Sequence, residues 1–231
     1  MKKIAQGAEA IIYLNKNKII KHRISKSYRH PELDKQIIKQ RTKAETKILN
    51  KVSKIIDSPK PEENKSGASG WGVGLRNENK ILMPFIDGKK LSQHLDKFSL
   101  TKQKQIIKQI AQSVAKLHKE NIVHGDLTTS NMIYVENKKI KGGNSVLQVG
   151  AGGEKGKVYF IDFGLAFQNA KIEDKGIDIH LLKQALEAKH FQNWKILFSE
   201  FEKTYKKENS KEAKKILERL KAIEKRGRYK H

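Results

Sequence analysis

Hydrophobic and polar positions along the chain follow two different periods. Between residues 2 and 24, short apolar runs are broken by turn residues. Ile11-Ile12-Tyr13-Leu14 and Ile19-Ile20 flank Asn15-Lys16-Asn17-Lys18, which reads as strand, turn, strand. Helical spacing takes over across residues 31–56. Pro31 suits a first turn, and Leu33, Ile37, Ile38, Ile48, Leu49 and Val52 are the apolar positions. Residues 58–74, SPKPEENKSGASGWGVG, have no period and read as a loop. A strand is predicted over Lys80–Phe85, then a connection at 84–90. After it the helical period dominates, with a short helix over Leu91–Phe98. A long one over Thr101–Glu120 carries Ile106, Ile107, Ile110, Val114, Ala115 and Leu117. Two short apolar runs follow, Met132–Val135 and Val158–Ile161. Three amphipathic segments, near 174–189, 190–206 and 210–225, lead into the basic tail KRGRYKH at 225–231. The expected architecture is α+β. A strand-rich lobe with one main helix covers 1–86, and a mostly helical lobe with a basic tail covers 87–231. The cleft between two such lobes is a usual place for a ligand.

Charge changes that picture first. Lys and Arg number 49 against 25 Asp and Glu, a net +24 in 231 residues. Such a surface attracts polyanions, and nucleic acid is the first candidate. There is no cysteine, which excludes disulfides and Cys-type zinc sites. The eight histidines are scattered, with no close pair on one helical face. No stretch approaches the ~20 apolar residues of a spanning helix, and Met1-Lys2-Lys3 does not open a signal peptide. No membrane association is expected, and a cytoplasmic location is.

Chemistry concentrates in VHGDLTTSNM, residues 123–132, and in IDFGLA, residues 161–166. Phosphoryl transfer from a nucleotide needs a hard divalent cation held by oxygens, a base for the attacking hydroxyl, and a cation on the phosphates. Asp162 can supply a carboxylate at a strand end, and Asn131 an amide oxygen that adds no charge. Asp126, five residues before Asn131, can orient and deprotonate the nucleophile. Lys21, in KIIKHR, is the strand cation, with Lys18 as its competitor. Glu45, in RTKAETKIL, is the candidate carboxylate to hold it. His124 reads as a packing residue under the loop, and KIEDK at 171–175 as a helix start. GAGGEKG at 150–156 fails the phosphate-loop pattern and reads as an insertion.

The stretches QGAEAIIY, IIKHR, RTKAETKIL, VHGDLTTSNMIY, YFIDFGLA, EDKGIDIHLL and KRGRYKH together resemble the protein-kinase superfamily. More narrowly they resemble the small atypical kinases of the KEOPS complex. The resemblance covers nearly the whole chain. It implies a bilobal protein-kinase-like fold, ATP with Mg2+, and partnership with a KEOPS transferase subunit in making threonylcarbamoyl-adenosine on tRNA. Carried onto this chain, it makes Asp126 the catalytic base and Asn131 and Asp162 the metal ligands. Gln6, Gly7, Ala8, Glu9 and Ala10 become the phosphate-covering loop. Lys21 and Glu45 become the phosphate-binding ion pair, and Met83, Pro84, Phe85 and Ile86 lie along the adenine. Asp178 braces the catalytic loop, Lys175 sits near the cleft, and Arg226, Arg228 and Lys230 reach the cleft or tRNA.

The chain also departs from ordinary kinases. Its covering loop has one glycine where G-x-G-x-x-G has three. Gly125 stands where many kinases carry an arginine. No A-P-E motif follows, and the segment after Gly164 is too short for an ordinary activation loop. This favours ATP hydrolysis or a dedicated acceptor over broad protein-kinase activity. A small-molecule phosphotransferase and a non-catalytic tRNA-binding scaffold are the alternatives.

Overall fold

The computed structural model describes residues 1–62, 78–136 and 156–227. Most of the expected loop at 58–74, residues 150–155 of the expected insertion, and Arg228 and Lys230 of the tail lie outside the described residues.

Strands β1 (Lys2–Gln6), β2 (Ala10–Asn15), β3 (Lys18–Arg23) and β4 (Lys80–Pro84) form an antiparallel sheet in that order. Asn15 pairs with Lys18, so Lys16-Asn17 is a two-residue turn, and Lys16 takes the positive φ of 53° that such turns use. Helix α1 (Pro31–Val52) brings Ile48, Leu49 and Val52 into the same core as Ile81 and Met83 of β4. Only its second half packs this way. Leu33 stays exposed, and the buried side chain of the first turn is Asp34. Its carboxylate accepts from Ser25 Oγ (2.6 Å), the Lys26 amide (3.1 Å) and Arg29 Nη1 (3.1 Å). The helix start is therefore fixed by a polar knot, and an acid there also suits the helix dipole.

The second body begins with β5 (Lys89–Lys90) and α2 (Leu91–His94). A 3-10 turn, Leu95–Lys97, then replaces the remainder of the helix expected to Phe98. Helix α3 (Leu100–Lys119) is its axis. Ile106, Ile107, Ile110, Ala111 and Val114 are fully buried along it, each large one worth about 1.5–3 kcal/mol of transfer from water. Strand β6 (Ile122–Val123) leads to a loop ending in the 3-10 turn Thr129–Asn131. Then come β7 (Met132–Val135), β8 (Lys157–Phe160) and β9 (Phe167–Gln168). These strands make two small sheets, β5-β7-β8 and β6-β9, which grip the loop from both sides. Helices α4 (Ile172–Lys189), α5 (Trp194–Glu208) and α6 (Ala213–Gly227) close the body. Among the described residues no helix is long and apolar enough to cross a membrane.

Candidate active site

Lys21 sits mid-sheet, opposite Ile12 on β2 and Ile81 on β4. Its Nζ reaches Glu45 Oε1 of α1 and Asp162 Oδ1 beyond β8, both at 2.7 Å. One ammonium therefore joins the sheet, the helix packed on it, and the second body. Lys18, three residues earlier, points elsewhere and pairs with Glu62 at 2.8 Å near the surface.

Asp162 adopts a left-handed backbone, φ 61°, two residues past the end of β8. Such a conformation in a non-glycine residue is held by its surroundings. Oδ1 also accepts from the Gly164 amide at 3.3 Å. A Cβ on Gly164 would lie 3.1 Å from that oxygen and 3.4 Å from Lys21 Nζ, so glycine lets the backbone close on the ion pair. Burial pushes the Asp162 carboxyl up, but the charge and hydrogen bond of Lys21 outweigh it. The group titrates below its ordinary range and is ionised at neutral pH.

The loop 123–131 is held from beneath. Asp178 of α4 accepts from the amides of His124 (Oδ2, 2.9 Å) and Gly125 (Oδ1, 2.9 Å). His118 Nε2 approaches the same carboxylate at 3.3 Å. Because a carboxylate only accepts, the proton is on Nε2, and Nδ1 accepts from Tyr205 OH at 2.7 Å. Burial raises the Tyr205 hydroxyl far above its usual range, so it keeps that proton. His124 is fully buried. Its Nε2 donates to the Ile161 carbonyl (3.1 Å) and its Nδ1 accepts from the Asp126 amide (3.3 Å). Both ring nitrogens are engaged, which suits a packing role. Gly125 is at φ 78°, and a Cβ there would fall 2.3 Å from the Leu165 carbonyl oxygen. An arginine in its place would have no room in this conformation.

Asn131 turns its amide nitrogen to Asp126, donating to the carbonyl (3.0 Å) and to Oδ2 (2.8 Å). Among the described residues its Oδ1 accepts no hydrogen bond. Its carbonyl accepts from the Ile161 amide at 2.9 Å, which ties the loop to the segment entering Asp162. Thr129, fully buried, bonds His190 Nε2 (3.1 Å), and His190 Nδ1 bonds Asp96 (2.8 Å).

Of the remaining expected residues, Gln6–Ala10 form the β1–β2 turn, closed by Gly7 N donating to Ala10 O at 2.9 Å. Glu9 directs its carboxylate to Arg23 and Arg41. Met83 and Pro84 end β4, and the Phe85 amide is donated to Asn17 O at 2.9 Å. Arg226 pairs with Glu173 at the start of α4 (3.1 Å). Lys175 is buried between Asn121 (2.8 Å) and Glu212 (2.7 Å), where it ties α4 to the segment before α6. Arg23 was not anticipated from the sequence. It shares Glu45 with Lys21, its Nη2 lying 2.6 Å from Oε2. The available signal was its position two residues on, on the same strand face. His118 and Tyr205 carried no signal of their own.

The arrangement offers a lysine for polyanionic phosphates, oxygens on Asp162 and Asn131 of the kind a hard cation takes, and a half-buried carboxylate, Asp126, bonded to Asn131. Several known proteins are similar to this chain. The protein tyrosine and serine/threonine kinase family pattern matches residues 36–184. The KEOPS complex subunit Bud32 of Pyrococcus abyssi is 36% identical, over 99% of this chain and 96% of its own length. A probable serine/threonine-protein kinase BUD32 homolog of Archaeoglobus fulgidus is 31% identical over 98% of this chain and 96% of its length. A probable bifunctional tRNA threonylcarbamoyladenosine biosynthesis protein of Methanobrevibacter smithii is 35% identical over 99% of this chain, which spans 37% of it. Among solved structures, WaaP in complex with acyl carrier protein shares the fold, with a TM-score of 0.54 at 12% identity over 97% of this chain and 88% of that one. A kinase-like two-body fold, a lysine bridging Glu45 and Asp162, and near-full-length likeness to these proteins converge: this chain is a kinase-type phosphotransferase homologue that belongs to the Bud32 family.

Proposed function

We propose that the chain is the ATP- and magnesium-dependent kinase/ATPase subunit of a KEOPS assembly, supporting threonylcarbamoyl-adenosine modification of tRNA. The observation that carries this reading is the Lys21 ammonium, 2.7 Å from both Glu45 and Asp162. It would lie at the cleft between an N-terminal lobe, 1–86, and a C-terminal lobe, 87–231.

Magnesium keeps several waters and takes few protein ligands. The donor set fits: one ionised carboxylate, Asp162, half-exposed, and one amide oxygen, Asn131 Oδ1, with no third acid required. Asn131 and Asp162 would hold the ion, which when bound supplies charge neutralisation along the phosphates. Lys21 binds the phosphates from the sheet side, and Glu45 fixes where its ammonium points. Asp126 receives the proton of the attacking hydroxyl, and Asn131 Nδ2 orients its carboxylate for that task. The Phe85 amide is already donated to Asn17, so the base edge would be read by the Ile86 amide.

Residues 165–171 pass directly from Gly164 to α4. Phe167 pairs with Val123, and the Ala170 amide bonds the Asn121 carbonyl at 3.0 Å. Nothing in that segment offers a platform for an extended peptide. The acceptor is therefore water or one dedicated hydroxyl. The net charge of +24 and the basic end of α6 favour a polyanionic partner such as tRNA.

The test is release of phosphate from ATP with magnesium by wild type and Asp126→Ala, with and without tRNA and the transferase subunit. Release that needs Asp126 and rises with tRNA or the subunit is expected. Protein-bound label with little free phosphate would turn the reading to a Ser/Thr kinase. Silence in every arm, with tRNA still bound, would leave a scaffold.

A further inference from the structure

Glu9 raises a problem that the nucleotide reading does not resolve. It is a carboxylate within the loop expected to lie on phosphates, where its charge would repel them. The structure surrounds it with guanidiniums. Arg23 Nη1 lies 3.2 Å from Glu9 Oε2, and Arg41 of α1 bonds Oε1. Arg23 then passes to the catalytic pair, with Nη2 2.6 Å from Glu45 Oε2, while Lys21 takes Glu45 Oε1. Arg41 and Glu45 stand four residues apart on α1, on one face of the helix. The contacts therefore close a ring: Glu9, Arg23, Glu45, one turn of α1, Arg41, and back to Glu9.

We infer that Arg23 and Glu9 are positioning residues that clasp the phosphate-covering loop to helix α1, so that loop and Lys21–Glu45 pair move as one unit. The inference rests on the nucleotide-binding reading above and deepens it.

Three features support the clasp. First, register: Ala10, the last loop residue, pairs with Arg23 across β2 and β3. The arginine therefore stands directly beneath the loop. Second, the backbone of the loop is held from the same strand end. Ile24 N donates to Glu9 O at 3.1 Å, and Lys26 Nζ bonds Ala8 O. Third, the charges balance. Arg41, Arg23 and Lys21 face Glu9, Glu45 and Asp162, three against three. Consistent with this, the Arg41 hydrogen bond holds the Glu9 carboxyl below its ordinary range, against a smaller upward push from burial. A loop with three glycines gains its shape from backbone freedom, whereas this one, with Gly7 alone, gains it from side chains anchored to the helix.

Removing Arg23 leaves no charge stranded. Glu9 keeps Arg41, and Glu45 keeps Lys21. The fold should survive while the loop loses its tie, which makes the substitution informative. Arg23→Met, Glu9→Gln, the double variant and Arg23→Lys would be compared with wild type. Lys18→Met, on the same strand but paired with Glu62, is the control. The readouts are affinity for magnesium with a fluorescent ATP analogue, KM and kcat for phosphate release, and Tm.

Arg23→Met is expected to weaken nucleotide affinity and raise KM about 5- to 20-fold, with a much smaller change in kcat. Glu9→Gln should do the same more weakly. The double variant should be no worse than Arg23→Met, because both break one ring. Arg23→Lys should recover only part, since a compact ammonium lacks the planar, spread guanidinium fork that spans from Glu9 to Glu45. Lys18→Met should match wild type. Unchanged affinity and KM with a lowered Tm would mean that Arg23 only supports the fold, and would overturn the clasp. Effects that multiply in the double variant would overturn it too. Wild type that binds the analogue but releases no phosphate would sink the catalytic reading and leave the clasp to be judged on affinity. Wild type that binds no nucleotide would sink both.

Discussion

The two sides of the candidate site are held together by different physics. On the sheet side, Lys21, Arg23, Glu45 and Glu9 are fixed by ion pairs, and the neighbouring strand β1 is exposed along its whole length. On the helical side, the backbone of His124 and Gly125 hydrogen-bonds to Asp178, which is buried with His118 and Tyr205 in the core of α3, α4 and α5. Glu45 and its two cations are buried, but the outer pairs end on the half-exposed carboxylates of Asp162 and Glu9 and can be re-formed with a ligand at little cost, whereas buried backbone amides lose heavily when their acceptor is taken away. The outer edge of the sheet side is therefore the part able to adjust to the proposed nucleotide. The helical side is the fixed reference that carries Asp126, the proposed base. Lys21–Asp162 is where the two meet, and Asp162 is its half-exposed end.

The sharpest break of this contrast is kinetic. Asp126→Asn should cut phosphate release by about 100- to 10,000-fold, the range of a lost general base. Lys21→Met should impair it comparably. Neither should unfold the protein, since Asp126 is only half-buried and Glu45 retains Arg23. Parallel losses in activity and in Tm would show that these side chains act through the fold.

Next in size is Asp178→Ala. It would leave the His124 and Gly125 amides and His118 without their acceptor, at about 3 kcal/mol or more by denaturant unfolding. Asp178→Asn, which keeps one carbonyl oxygen, should lose less. A cost near zero would mean that the loop is not held from beneath.

Gly125→Ala should cost about 1–3 kcal/mol, because its φ of 78° disfavours a Cβ and that atom would meet the Leu165 carbonyl. If the loop simply shifts, stability would be unchanged and the rigid half of the comparison would fail.

The smallest effect is on acid stability. Asp162 and Glu9 titrate lower in the folded chain than in the unfolded one. Their stabilisation is complete above the ordinary carboxylate range and fades as pH falls below about 4, through the lowered values. Unfolding free energy followed from pH 6 to 3 should decline less steeply in Asp162→Asn than in wild type. Identical slopes would remove Asp162 as a contributor.

Much of the candidate site was legible in the sequence, for a local reason. Asp126 and Asn131 lie five residues apart in one loop, so their partnership is nearly settled by the chain itself. Lys21 was separable from Lys18 only by its match to a strand position, and the structure gives the two lysines different carboxylates. Periodicity located α3, with Ile106, Ile107 and Ile110 buried as expected. It misled at Leu33, which has the spacing of a core residue but stays exposed beside the buried Asp34.

What the sequence by itself determined was the order of elements, the kinds of chemistry they carry, and which residues share a strand or helix face. Alternation and helical spacing encode those, because they depend only on backbone geometry. What the tertiary structure alone decided was which charges meet. Glu45 divided between Lys21 and Arg23, Glu9 drawn to Arg41, and Asp178 beneath the amides of His124 and Gly125 join residues up to 54 positions apart. A period says which way a side chain faces, but not what stands opposite once the helices and sheets have packed.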